Sequence, residues 1–234
     1  MLRKIRTTLA ILCFALITLL FLDFTGTLHA WFGWLAKIQF LPALLALNLG
    51  VVALLVLATL LFGRIYCSII CPLGVMQDII ARFGSRGRKR KYRYSYSPAK
   101  NWLRYGVLAL FIAALVAGIG SFVALIAPYS AYGRIAQNLL APLYGWGNNL
   151  LAYLAERADS YAFYRTEVWI RSLTTLLIAA ATLILLVVLA WRNGRTWCNT
   201  VCPVGTVLGF FSRFSLFRPV IDTAKCNACG LCAR

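Results

Sequence analysis

Long apolar runs separated by short basic stretches set the pattern of this chain. Four runs, roughly 6–24, 41–62, 103–126 and 169–191, hold about 20 residues each with few charges. At 1.5 Å per residue such a helix covers about 30 Å, the thickness of a bilayer's hydrocarbon core. The pattern predicts an all-α integral membrane protein with four transmembrane helices. The first run follows "MLRKIR" and is read as an uncleaved span. A cleavage site after "LHA" is poorly formed, and the later helices need an inward start. The loop "DFTGTLHAWFGWLAKIQF" joins the first two runs, and residues 127–168 join the last two. In the longer loop Tyr129, Tyr132, Tyr144, Trp146, Tyr153, Tyr161, Tyr164 and Trp169 predict an interfacial aromatic belt, and "NNLLAYLAERA" predicts a helix lying in the interface.

Composition supports the membrane reading. Of 234 residues, 62% are hydrophobic and 13% charged, which leaves too little polar surface for one soluble core. The net charge of +18 is unevenly placed. Ten of the 24 Lys and Arg lie between Arg64 and Arg104, three in "MLRKIR" and six from Arg192 onward. This is the positive-inside pattern, with both termini cytoplasmic in a multi-pass protein of a bacterial inner membrane. Anionic lipids are the natural partner of such loops. No nucleic-acid recognition module is visible. Six acidic residues and one histidine, all scattered, form no hydrolytic constellation. His29 reads as an interfacial histidine before a haem or quinone contact, and a quinone pocket in the second external loop ranks behind plain anchoring.

The chain contains a duplication. "FGRIYCSIICPLGVMQDIIARFG" matches "NGRTWCNTVCPVGTVLGFFSRFS" at a constant offset of 131. Gly63, Arg64, Cys67, Cys71, Pro72, Gly74, Arg82 and Phe83 align with Gly194, Arg195, Cys198, Cys202, Pro203, Gly205, Arg213 and Phe214. Residues 1–84 form a first repeat, 85–101 a basic linker and 102–218 a second repeat. Both motifs emerge on one side, which implies parallel repeats about an axis along the membrane normal. Proline suits a helix's first turn and drives the residue before it out of α geometry. Cys71 is therefore placed at a break before a helix over about 72–83. Val75, Met76, Ile79, Ile80 and Phe83 would share one face of that helix, laid on the membrane surface. The helix's positive end favours a thiolate. In a reducing cytoplasm such thiols read as metal or redox sites. Cys67, Cys71, Cys198 and Cys202 could cycle as disulfides, share one iron–sulfur cluster, or bind zinc or copper. Cys13, alone in an apolar run, behaves as a small hydrophobe.

The last segment, 219–234, ends "DTAKCNACGLCAR". Cys226, Cys229 and Cys232 have the C-x2-C-x2-C spacing that opens a bacterial ferredoxin cluster motif. The fourth cysteine would fall at position 236, beyond Arg234, so the chain reads as truncated.

The two GR-x-[YW]-C-x3-C-P-[LV]-G copies, with the ferredoxin-like start behind them, resemble the polyferredoxin-like membrane iron–sulfur proteins. That family includes the NapH type of quinol dehydrogenase subunit and the NosR and CcoG types. The resemblance covers nearly the whole chain. It implies [4Fe–4S] clusters, and electron transfer between the quinone pool and a partner redox protein, with quinol dehydrogenase activity a candidate. Cys226, Cys229 and Cys232 would be the metal ligands, with Cys67, Cys71, Cys198 and Cys202 passing or gating electrons. Arg64 and Arg195 serve either to raise a nearby potential or simply as positive-inside anchors. A copper-handling or cupric-reductase accessory role ranks second, although the only methionines are Met1 and Met76. A zinc-stapled scaffold ranks third.

Overall fold

In a computed structural model, residues 2–23, 26–84, 101–157, 164–168 and 172–217 are described, and they form helices and no strand. In chain order these are α1 (Leu2–Leu22), α2 (Thr27–Phe32), α3 (Trp34–Lys37), α4 (Phe40–Leu45), α5 (Leu49–Phe62), α6 (Ile65–Ile69) and α7 (Pro72–Gly84). The second half holds α8 (Asn101–Val116), α9 (Gly120–Ile126), α10 (Pro128–Ile135), a π-turn (Ala136–Leu140), α11 (Ala141–Arg157), α12 (Leu173–Asn193), α13 (Thr196–Thr200) and α14 (Pro203–Phe211).

The outer two apolar runs fold as expected. Among the described residues α1, over Lys4–Leu22, and α12 are long and apolar enough to cross a membrane. Both expose bulky apolar side chains, including Leu9, Leu12, Leu177 and Ile184, a surface that suits lipid rather than water.

The two middle runs are not continuous helices. The run 41–62 breaks at 46–48: Asn48 N–H bonds Ala43 O at 2.9 Å and Leu47 N–H bonds Leu44 O at 3.1 Å, with Leu47 at φ 53°. The run 103–126 breaks in the same way, through Ile119 N–H to Ala114 O at 2.9 Å and Gly118 N–H to Leu115 O at 3.3 Å, with Gly118 at φ 73°. Both are Schellman endings, in which the amides of a left-handed residue and of the residue after it cap the last turn. Asn48 then restarts the chain by accepting from Val51 N–H with its side chain. The first break turns the chain back. The Tyr66 hydroxyl donates to Gln39 Oε1 at 2.8 Å and accepts from Phe40 N–H at 3.1 Å. A straight helix from 40 to 62 would be about 33 Å long and would carry Phe40 far from that tyrosine.

A second correction concerns the helix after each motif. The expected surface helix exists, as α7, but it is packed inside the bundle against α12, α1 and α10. Leu73, Val75 and Gln77 are buried, Met76, Ile79 and Ile80 half-buried, and Phe83 exposed. Helix α14 lies likewise against α8 and α5. The repeats therefore interlock: each motif helix packs on the second apolar helix of the other repeat. After α14, Leu216 N–H bonds Leu60 O at 2.8 Å and Phe217 stacks on Phe62 with ring centroids 5.8 Å apart.

In the second loop, residues 148–157 of "NNLLAYLAERA" are the end of α11, and Ala158 lies outside the described residues. Tyr144, Trp146, Tyr153 and Tyr164 are exposed, as a belt requires. Tyr132 is not part of it: it is 1% exposed and shares a 2.6 Å hydrogen bond with Thr18 of α1. Tyr161 and Trp169 lie outside the described residues.

Candidate metal centre

Each motif is built by the same local rules. Helix α5 ends at Gly63 (φ 73°, ψ −150°) and α12 at Gly194 (φ 73°, ψ −126°). Both angles lie in a region open in practice only to glycine. There the chain reverses, so that α6 and α13 fold back beside the helices they follow. Cys67 and Cys198 sit on these short helices. Cys71 and Cys202 follow at the break, each donating its amide to the residue before the first cysteine: Cys71 to Tyr66 O at 2.9 Å, Cys202 to Trp197 O at 3.0 Å. Proline then opens the motif helix, as expected.

The glycine three residues after the second cysteine has a steric cause. A Cβ on Gly74 would overlap the Cys67 carbonyl oxygen, and one on Gly205 would overlap that of Cys198. Only glycine lets the motif helix approach the short helix this closely. The approach aims backbone N–H groups at the second sulfur. Gly205 N–H donates to Cys202 Sγ at 3.4 Å, and the amides of Leu73 and Gly74 do the same for Cys71.

The four motif cysteines come together. Cys67, Cys71, Cys198 and Cys202 are all buried and none is in a disulfide. Each lies within electrostatic reach of the other three. Burial pushes all four thiols up, Cys71 to about 12. For Cys67 the nearby Arg195 and Arg64 guanidinium groups pull the other way. Gln77, 1% exposed, donates from Nε2 to Cys198 Sγ at 3.3 Å, a bond made across the repeats.

Among the described residues no three His, Cys, Asp or Glu side chains close around one ion position. Zinc–sulfur bonds of about 2.3 Å would draw four sulfurs to roughly 3.8 Å from one another. The four thiols are not drawn around a single such position. Four free thiols in a dry pocket, with N–H donors aimed at sulfur, fit a larger group that offers each thiolate its own metal atom.

The electrostatics of the two halves differ. Arg195 holds Asp78 through Nε and Nη2, a bidentate ion pair that joins the second repeat to the first. Burial alone would lower the Arg195 guanidinium, but Asp78 more than offsets it and holds it above its ordinary value. Arg64 has no such partner. It stands below its ordinary value, through burial first and the charge of Arg104 second.

Cys226, Cys229 and Cys232 lie outside the described residues. Cys13 is half-buried in α1. Reasoning from the motif missed Gln77, Asp78 and Arg104. The available signal was a difference between the copies: at the offset of 131, Gln77 and Asp78 face Leu208 and Gly209.

At the far end of α1 lies a polar cleft of about 500 Å³ lined by Asp23, His29, Tyr129, Gln137, Asn138 and Glu167 among others. Next to it an apolar groove of about 300 Å³ runs along Leu41, Leu45, Leu115, Val123 and Tyr129. Tyr129 lines both.

Comparison with known proteins agrees with the duplicated motif. The family described as "4Fe-4S binding domain" matches twice, over residues 44–91 and 174–221. The chain is 30% identical over 193 residues to the ferredoxin-type protein NapH of Haemophilus influenzae, covering 82% of this chain and 53% of that one. It is 26% identical over 193 residues to the methylamine utilization ferredoxin-type protein MauN of Paracoccus denitrificans, with the same coverage. It is 25% identical over 197 residues to the putative electron transport protein YccM of Escherichia coli, covering 83% of this chain and 47% of that one. The chain thus spans about half the length of these relatives. No solved structure matches it. The chain thus carries two copies of a 4Fe-4S binding domain and is similar, over four-fifths of its length, to ferredoxin-type and electron-transport proteins.

Proposed function

We propose that Cys67, Cys71, Cys198 and Cys202 together hold one [4Fe–4S] cluster between the repeats, and that the protein carries electrons between the quinone pool and a partner redox protein. The observation that carries this reading is the convergence of four buried, unbridged thiols from two copies of a 4Fe-4S binding domain. When bound, such a cluster supplies reversible one-electron transfer. The chain's own residues do the rest. The amides of Leu73, Gly74 and Gly205, with the Gln77 side chain, bond to sulfur and stabilise its negative charge. Arg64 and Arg195 add positive charge nearby. The apolar shell, including Tyr66, Leu73, Val204 and Leu208, keeps water away from the sulfurs. The N–H donors and the guanidinium groups raise the potential, and the dry apolar shell lowers it.

The polar cleft is the proposed quinone site. Its histidine and carboxylates are chemically able to take the protons a quinol releases, and the adjoining groove suits an isoprenoid tail. The proposed setting is a bacterial inner membrane crossed by α1, α12 and the two broken apolar runs, with motifs and termini on the cytoplasmic side. Cys226, Cys229 and Cys232 are proposed to begin a further cluster module facing the redox partner.

Adding a reduced short-chain quinol anaerobically to the purified protein tests the reading. Bleaching of iron–sulfur absorbance, lost when His29 is changed to Ala, supports it. An unchanged spectrum at every quinol potential below that of the cluster refutes the quinone assignment.

A further inference from the structure

One difference between the repeats leaves positive charge unanswered. Arg195 grips Asp78, whereas at the offset of 131 the pair becomes Arg64 and Gly209. The Arg64 guanidinium still reaches over that position. A Cβ on Gly209 would lie 2.9 Å from Arg64 Cζ, and it would also meet Nη2 of both Arg64 and Arg104. Two guanidinium groups therefore converge where the other half keeps a carboxylate. Arg104, in the first turn of α8, is 8% exposed. Its Nη2 donates to Thr206 O at 3.2 Å, and its buried Nε has no partner. Arg64 donates from Nη1 to Asn199 Oδ1 at 2.7 Å.

The described acidic residues are engaged elsewhere. Asp78 holds Arg195, Asp23 accepts from the amides of Gly26 and His29, Glu156 pairs with Arg165, and Glu167 lines the polar cleft. Two like charges brought together in a partly buried site repel strongly unless an anion lies between them. Guanidinium forks match the oxygens of phosphate in shape and charge. The site lies where α5 ends and α8 begins, the end of the bundle that the charge pattern puts at headgroup depth.

We propose that Arg64 and Arg104, over Gly209, bind the phosphate group of an anionic lipid headgroup or of free phosphate. This does not depend on the cluster assignment. Gly209 is what keeps the site open, because a carboxylate there would close it as Asp78 closes the other half.

The test uses the full chain purified in phosphate-free detergent and offered phosphatidylglycerol, with native mass spectrometry counting retained lipid and melting temperature reporting the fold. Wild type is expected to retain lipid about tenfold more tightly than Arg104→Gln, the loss of one charge-assisted contact. Gly209→Asp is expected to abolish retention while keeping or raising the melting temperature, since the atoms it displaces are the tips of two flexible side chains. Retention that survives millimolar inorganic phosphate assigns the lipid. Retention of phosphate itself, with displacement of lipid, assigns the free anion. Equal lipid and phosphate binding by wild type and both variants overturns the proposal. So does an absence of both lipid and phosphate binding by wild type.

Discussion

At the residue scale, the site depends on a few side chains whose roles follow from contact. Gly74 and Gly205 have the sharpest requirement. Adding one methyl at either places it on a backbone carbonyl oxygen that cannot move alone. Gly74→Ala and Gly205→Ala should each destabilise by about 2–3 kcal/mol, the upper range for overpacking, and lower the iron bound per chain. Thermal melts with iron analysis check this. The thiols also predict a pH dependence. Burial raises Cys71 to about 12 from an unfolded value near 8.5. A raised thiol contributes stability below the unfolded pKa and loses it as pH rises through the folded one. The iron-free protein should therefore lose melting temperature between about pH 8.5 and 12, and the iron-loaded protein should not, since a coordinated thiol has already lost its proton. The spacing of Cys67, Cys71 and Pro72 made the cysteine break legible in the sequence, because it rests on local backbone rules. Gln77 and Arg104 were not legible, because their partners Cys198 and Thr206 lie more than 100 positions away.

At the element scale, the turns after α5 and α12 decide whether the motifs form. Gly63 and Gly194 hold backbone angles at which an L side chain is strained by about 1–3 kcal/mol. Gly63→Ala and Gly194→Ala should each lower stability by that amount and the double variant by about the sum, the sites being in separate repeats. Denaturant melts in mild detergent measure it. At Gly118 the strain of a left-handed residue is about 1–2 kcal/mol, and no atom lies within 4 Å of an added Cβ, so Gly118→Ala should lose only that. The outer two apolar runs were readable because length and composition suffice for an unbroken helix. The middle two were not. The break at Leu47 uses a non-glycine left-handed residue that no composition rule marks, and Gly118 reads like any glycine in an apolar run. The burial of α7 was also hidden. Of the face read from the sequence only Val75 is fully buried and Phe83 is exposed, whereas Leu73 and Gln77, off that face, are buried. Contacts with α12, α1 and α10, rather than lipid, decide which side is covered.

At the scale of the whole molecule, duplication and interlock give the centre its symmetry. The motif helix of each repeat rests on the second apolar helix of the other, so neither repeat can complete the cysteine quartet alone. The Arg195–Asp78 pair crosses that interface, with side chains 28% and 35% exposed. Asp78→Asn should cost about 1–2 kcal/mol, modest because water screens the pair in part. It should also shift the cluster potential upward by leaving the Arg195 charge unanswered, which a redox titration would read. The two-fold pattern was plain in the sequence as an offset of 131, but which surfaces met across it was not, since interlock depends on packing between segments far apart in the chain.

The central claim is that four cysteines from two repeats hold one cluster. The most direct measurement is iron and sulfide content with low-temperature EPR, before and after dithionite, on anaerobically purified protein and on the variant with Cys67, Cys71, Cys198 and Cys202 all changed to Ser. The variant should lose one cluster's worth of iron and one reducible signal, whatever Cys226, Cys229 and Cys232 retain. Equal iron and identical spectra in the two proteins would contradict it.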